Sequence, residues 1–247
     1  MSIQTVFRNN NLDNLLTNDK GSFTTLTVTG RGNMTNRLLT HRIPGMDGLY
    51  EDDSIQLEPR PIIVKFRLTD KTNEGFRKRL DKLKELLVGS KQSLYFTDEP
   101  NEYYRATLQS LDVPEEESND LICHLNFICN DPYKYSPETR TQLNESIDIE
   151  SPAGAIPIFN IEFTENTSEF SIRHKQTRRH LKVKYDFGIG DKLTLNAVNR
   201  RVQINGITRM NTLTWDSAWF ELVNGNNVFE MTENVAEIEL RYRERWL

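Results

Sequence analysis

Within Gly188 to Met231 short runs place apolar residues at every second position, and these runs close on Asn and Gly. Leu193, Leu195 and Ala197 alternate with polar neighbours; Val202 and Ile204 resume the alternation up to Asn205-Gly206. Trp219, Phe220 and Leu222 follow, before a second turn at Asn224-Gly225-Asn226. A period of two sends successive side chains to opposite faces, and Asn-Gly provides the left-handed geometry of a tight hairpin. The same pattern runs through Phe159, Ile161 and Phe163, then Phe170 and Ile172. It continues in Leu181, Val183, Tyr185 and Phe187, and in Ala236, Ile238, Leu240 and Tyr242. Roughly eight short strands in about ninety residues predict a two-sheet antiparallel sandwich rather than a parallel sheet with helices.

The first half is organised differently. Residues 22–29 are Thr-rich and strand-like, whereas 31–58 read as irregular, with turn signals at Ile43-Pro44-Gly45 and Asp47-Gly48. Ile62, Val64, Phe66 and Leu68 then alternate with Ile63, Lys65 and Arg67. Phe76, Leu80, Leu83 and Leu87 fall on one helical face, with Thr72 or Asn73 as cap and Gly89 as stop, which predicts a helix over 73–88. Three further strands are expected over 93–97, 103–111 and 121–129. The expected fold class is mainly β with one α-helix: an α+β domain over 1–140, a linker over 141–155 and an antiparallel β-sandwich over 156–247.

Composition narrows the function classes. Hydrophobic residues make up 36%, so two modest cores are expected, with stability leaning on burial between subunits. A net charge of −5 does not point to nucleic-acid recognition. No secretory signal pattern and no apolar run of membrane-spanning length is present, so neither export by that route nor membrane insertion is expected. Cys123 and Cys129 share a parity with Leu121, Leu125 and Phe127 and read as buried free thiols. On one extended strand they stand about 20 Å apart, too far to bridge.

In order, the strand–helix–strand unit over 62–96, the turn Thr97-Asp98-Glu99-Pro100 leading to Tyr103-Tyr104-Arg105-Ala106, and Cys129-Asn130-Asp131-Pro132-Tyr133 form one set of motifs. Gly190-Asp191-Lys192, Arg201-Val202-Gln203-Ile204-Asn205-Gly206 and Leu222-Val223-Asn224-Gly225-Asn226-Asn227 form another. Together they resemble the distal tail (Dit-type) protein family of long, flexible-tailed bacteriophages. The resemblance implies a structural virion component without catalytic activity or cofactor, made in the host cytoplasm and carried at the tail tip. It implies a homo-oligomer, a hexameric ring formed by the first domain. That ring would join the major tail tube protein to the tail-tip, tail-associated lysin protein. The second domain would be a galectin-like sandwich that in some members helps hold receptor-binding proteins.

Within that frame, Leu38, Leu39, Ile43, Met46 and Leu49 punctuate residues 31–50 as an arm gripping an adjacent subunit, or else belong to a mobile surface loop. Arg173, Lys175, Arg178 and Arg179 form a basic segment for an acidic partner, or a solvated loop between strands. Trp215 and Trp219 could stack on a sugar, making the chain a carbohydrate-binding module for host-surface recognition; Trp219 could equally plug the core. Cys123 and His124 point to opposite faces of a strand, so no metal site is expected there. Asp186-Phe187-Gly188 copies a kinase tripeptide without its companion loops.

Overall fold

The computed structural model describes residues 3–53, 56–232 and 235–247. The chain forms two compact units, Met1–Lys134 with Leu247, and Tyr135–Trp246. Among the described residues no helix is long and apolar enough to cross a membrane.

In the first unit seven strands lie in the order Asn10–Asn11, Thr5–Phe7, Gln92–Phe96, Tyr103–Asp112, Asp120–Cys129, Arg60–Asp70 and Gly21–Thr29. Every adjacent pair is antiparallel. Ile62, Val64, Phe66 and Leu68 are fully buried, and the residues between them form the opposite face. The helix Asn73–Leu86 starts at Thr72, whose hydroxyl accepts from the Gly75 amide at 3.0 Å. It contributes Phe76, Leu80 and Leu83 to the core. Arg79 also turns inward. It pairs with Asp70 at 2.8 Å and donates to the Leu16 carbonyl and, at 3.0 Å, to the Asn18 side chain. The Asp70 carboxyl is held below its ordinary value, first by Arg79 and then by the Thr72 amide.

A second, four-residue helix, Leu12–Leu15, was not legible from periodicity. It carries Asp13, which is buried and accepts from the Thr5 amide at 2.9 Å, the Thr25 amide at 2.7 Å and the Thr25 hydroxyl at 2.8 Å. The Thr5 and Thr25 hydroxyls meet at 2.8 Å. Thr5 lies near one end of the strand order and Thr25 on the strand at the other. The sheet therefore curls until its ends meet, and one carboxylate closes the seam. Register slips between Thr25 and Thr27, a bulge of the kind that adds the curvature such closure needs.

Within 31–58, expected to be irregular, the described residues form a long hairpin instead. Asn36–Arg37 pairs with Gln56–Leu57, and Thr40–His41 pairs with Tyr50–Glu51. Backbone bonds from Asp52 to Leu39 (2.9 Å) and Glu58 to Thr35 (2.8 Å) extend the ladder. Alternation is absent because neither face of this ribbon is buried, so nothing in its own chain selects apolar residues at a period of two.

The second unit is a two-sheet antiparallel sandwich. One sheet runs Thr139–Gln142, Ala236–Tyr242, Ile158–Phe163, Lys192–Asn196, Arg201–Ile204 and Ile207–Thr208. The other runs Ser146–Ile149, Gly225–Met231, Thr167–His174 and Arg179–Phe187. Phe163 of the first sheet stacks on Phe187 of the second at 4.0 Å and meets Phe170 edge-on at 5.8 Å. Phe159 meets Phe229 edge-on at 5.9 Å.

The stretch 141–155, expected to be a linker, is woven into this sandwich. Gln142 pairs with Glu239, Ser146–Ile149 forms an edge strand, and Ala155 bridges Leu222. An edge strand needs only a few inward residues, here Ile147 and Ile149, so its composition stays polar enough to resemble a connector.

Candidate assembly and binding surfaces

The exposed hairpin leaves the first unit through a fixed root. Gly30 has φ +94°, and a Cβ there would fall 2.0 Å from the Pro61 carbonyl oxygen, so only glycine fits where the outgoing and returning chains cross. Arg31 donates through both terminal nitrogens to Asp98, at 3.0 and 2.9 Å, and its guanidinium lies 5.0 Å from the Phe96 ring centroid. Its pKa is raised, first by that hydrogen bond to Asp98, against partial desolvation. At the returning side Arg60 is buried, donates to the Arg31 carbonyl at 2.7 Å, and places its guanidinium 5.6 Å from the Tyr104 ring centroid. Burial pushes the Tyr104 phenol above its ordinary range. Bidentate and stacked arginines are directional contacts, so the root fixes where the hairpin points.

Beyond the root, Leu38, Ile43, Met46 and Leu49 are exposed, joined by Met34 and Tyr50, while Leu39 is half-buried. The tip turns at Met46, whose amide donates to the Ile43 carbonyl at 3.2 Å. Sequence reasoning located the apolar side chains but missed the clamp, because Arg31, Asp98 and Tyr104 converge only in three dimensions.

The basic segment lies at the hairpin joining Thr167–His174 to Arg179–Phe187. Arg173 and Lys175 share Glu230, at 3.3 and 3.2 Å, and lower its pKa, Lys175 the more strongly. Arg179 donates to the Trp219 carbonyl at 3.0 Å, and Arg178 occupies the turn with φ +57°. Much of the positive charge is thus offset locally.

His174, which the sequence groups with these cations, is not part of the surface. It is fully buried, with Nε2 2.9 Å from Asn227 Oδ1 and Nδ1 2.9 Å from the Thr177 hydroxyl. Its ring stacks on Phe220 at 5.2 Å. Asn227 Oδ1 also accepts from the Val223 amide at 2.8 Å, and its amide nitrogen donates to the Val223 and Gly225 carbonyls. That pattern fixes the Asn227 amide orientation, so His174 Nε2 carries a proton and donates. Burial lowers the His174 pKa, against the opposing hydrogen bond to Asn227. The folded state therefore prefers neutral imidazole, and its stability falls as pH drops through the ordinary value of 6.5 towards the lower folded value. Chemical unfolding followed by Trp fluorescence is expected to give a lower midpoint at about pH 5.5 than at about pH 7.5, with a smaller difference in His174→Gln. An equal difference in the variant would show that other groups cause the acid sensitivity.

Trp215 is fully exposed, whereas Trp219 is partly buried and packs against the sandwich core. The cysteines sit in the first core, and burial raises their pKa to about 11 for Cys123 and about 12 for Cys129, which leaves them unreactive thiols at neutral pH. Among the described residues no three His, Cys, Asp or Glu side chains converge as a metal site.

Residues 11–129 match the phage tail protein RIFT-related domain, and residues 151–246 match the C-terminal domain of the siphovirus-type tail component. The chain belongs to the distal tail, Dit-type, protein family. The distal tail protein of Bacillus phage SPP1 is 28% identical over 206 residues, covering 79% of this chain and 80% of its own length. The crystal structure of SPP1 Dit, described as a paradigm of the hub adsorption apparatus in phages infecting Gram-positive bacteria, superposes with a TM-score of 0.83. That match covers 100% of both chains at 22% identity, which establishes the shared distal tail fold.

Proposed function

We propose that this protein is the structural hub of a phage tail tip. Copies assemble through the first unit into a hexameric ring joining the tail tube protein to the tail-tip, tail-associated lysin protein. The sandwich units offer a docking platform for host adsorption, including receptor-binding proteins. Family membership and the description of SPP1 Dit as a hub support this reading.

The observation that carries it is the arm. Leu38, Ile43, Met46, Leu49 and Tyr50 are exposed on a hairpin whose root is clamped by Arg31 and Arg60. Exposing apolar side chains on a directed ribbon is unfavourable in an isolated chain, and covering them on an adjacent copy relieves it. Repeating one such head-to-tail contact closes a ring. Arg178 and Arg179, at the tip of their hairpin, would then supply a basic contact for an acidic neighbour.

Excision of residues 36–57 tests the arm. Thr35 and Glu58 can be rejoined through a short turn because the Glu58 amide already donates to the Thr35 carbonyl at 2.8 Å. Light scattering is expected to show rings for the intact chain and monomers for the excised one, with unchanged circular dichroism. Rings that survive excision would remove the arm from the assembly.

A further inference from the structure

Among the described residues the most exposed large hydrophobic side chain is an indole on a rigid support, Trp215, which the proposed ring assembly leaves unused. Trp215 has a relative exposure of 105%, so it contributes nothing to the core. The segment carrying it covers the free edge of the strand Arg179–Phe187. Leu213 bridges Val183, the Thr214 amide donates to the Lys182 carbonyl at 2.9 Å, and the Ala218 amide donates to the His180 carbonyl at 2.8 Å. The Lys182 amide returns a bond to the Ser217 hydroxyl at 2.9 Å, and the Ser217 amide closes the turn on the Thr214 carbonyl at 3.1 Å. Asp216 stands 3.1 Å from His180 Nε2. Every residue flanking the indole is therefore tied down, and the ring is presented on a preorganised turn.

Beside it lies an open depression of about 480 Å³, lined by Lys182, Lys184, Asn211, Thr212, Trp215 and Asp216 among others. We infer that this depression is a carbohydrate subsite: Trp215 stacks on the C–H face of a pyranose ring, and the lysines, Asn211, Thr212 and Asp216 meet its hydroxyls. Surrounding chemistry favours a sugar over a protein partner. A Trp anchoring a protein interface is ringed by contacts that exclude water. Here the rim supplies donors and acceptors of both kinds, which suits a ligand with an apolar face and a polar edge. This subsite does not depend on ring assembly.

The purified full chain, fluorescently labelled, is to be applied to a glycan array, with Trp215→Ala and Trp215→Phe in parallel. Binding to a defined set of glycans is expected for the parent chain. A loss of roughly tenfold or more is expected in Trp215→Ala, the scale of removing an aromatic anchor, with a smaller loss in Trp215→Phe. Thermal unfolding midpoints should be unchanged, since the side chain is not buried. An array that stays silent with the parent chain overturns the subsite. So does glycan binding that survives Trp215→Ala. Silence together with Trp215→Ala virions that lose a tail component would assign the indole to a protein contact instead.

Discussion

Asp13→Ala is expected to cost the first unit about 4 kcal/mol, because it leaves two buried backbone donors without acceptors at about 2 kcal/mol each. Those donors are the Thr5 and Thr25 amides, held at 2.9 and 2.7 Å by the two oxygens of one buried carboxylate. No ladder pairing joins the strands Thr5–Phe7 and Gly21–Thr29, so no backbone partner replaces the lost acceptor. Asp13→Asn should fall between parent and alanine, since an amide retains one acceptor oxygen. The measurement can be made specific to this unit. Trp215, Trp219 and Trp246 all lie in the second unit, so their fluorescence follows the sandwich, while far-ultraviolet circular dichroism follows both. The expected result is an earlier dichroism transition with the fluorescence transition unmoved. An unchanged dichroism curve would show that the seam does not depend on Asp13.

Phe163→Ala is expected to cost the second unit a similar amount, about 4 kcal/mol, through lost burial and the cavity left behind. Phe163 is almost fully buried and touches Phe187 and Phe170 across the sandwich, at 4.0 and 5.8 Å. These contacts hold the two sheets together where side chains alone bridge them. Removing the ring leaves both partners facing a void that the flanking strands cannot close without moving. Here the fluorescence transition should shift and the first unit's contribution to dichroism should not. Phe163→Leu, which keeps more of the volume, should cost less. Equal fluorescence-detected stability in Phe163→Ala and the parent would show that the sandwich does not depend on this cross-sheet aromatic contact.

These two residues also mark the boundary of what could be read in advance. Phe163 was legible: its alternation with Ile161 and Phe159 records a strand with one buried face, and the chain writes that face into its own composition. The same holds for Ile62, Val64, Phe66 and Leu68, and for the helix face of Phe76, Leu80 and Leu83 behind its Thr72 cap. The exposed apolar positions between 34 and 50 were visible too. The hairpin beneath them was not, because a ribbon with no buried face leaves no period. Edge strands such as Ser146–Ile149 passed for a linker because they bury too few residues to stand out.

From the order of its residues alone, this chain specified two β-rich units, their strand faces, one amphipathic helix and a set of apolar residues inserted between strands. Periodicity suffices for that, because burial of one face is a local, repeating demand. Tertiary structure decided which distant polar groups met: Asp13 with Thr5 and Thr25, His174 with Asn227, and Arg31 with Asp98. It also decided that Trp215 would stand in solvent while Phe220, five residues on, entered the core. Such outcomes depend on directional contacts between segments on different elements, from 8 residues apart for Thr5 and Asp13 to 67 for Arg31 and Asp98, and neither composition nor spacing records where the chain will bring them together.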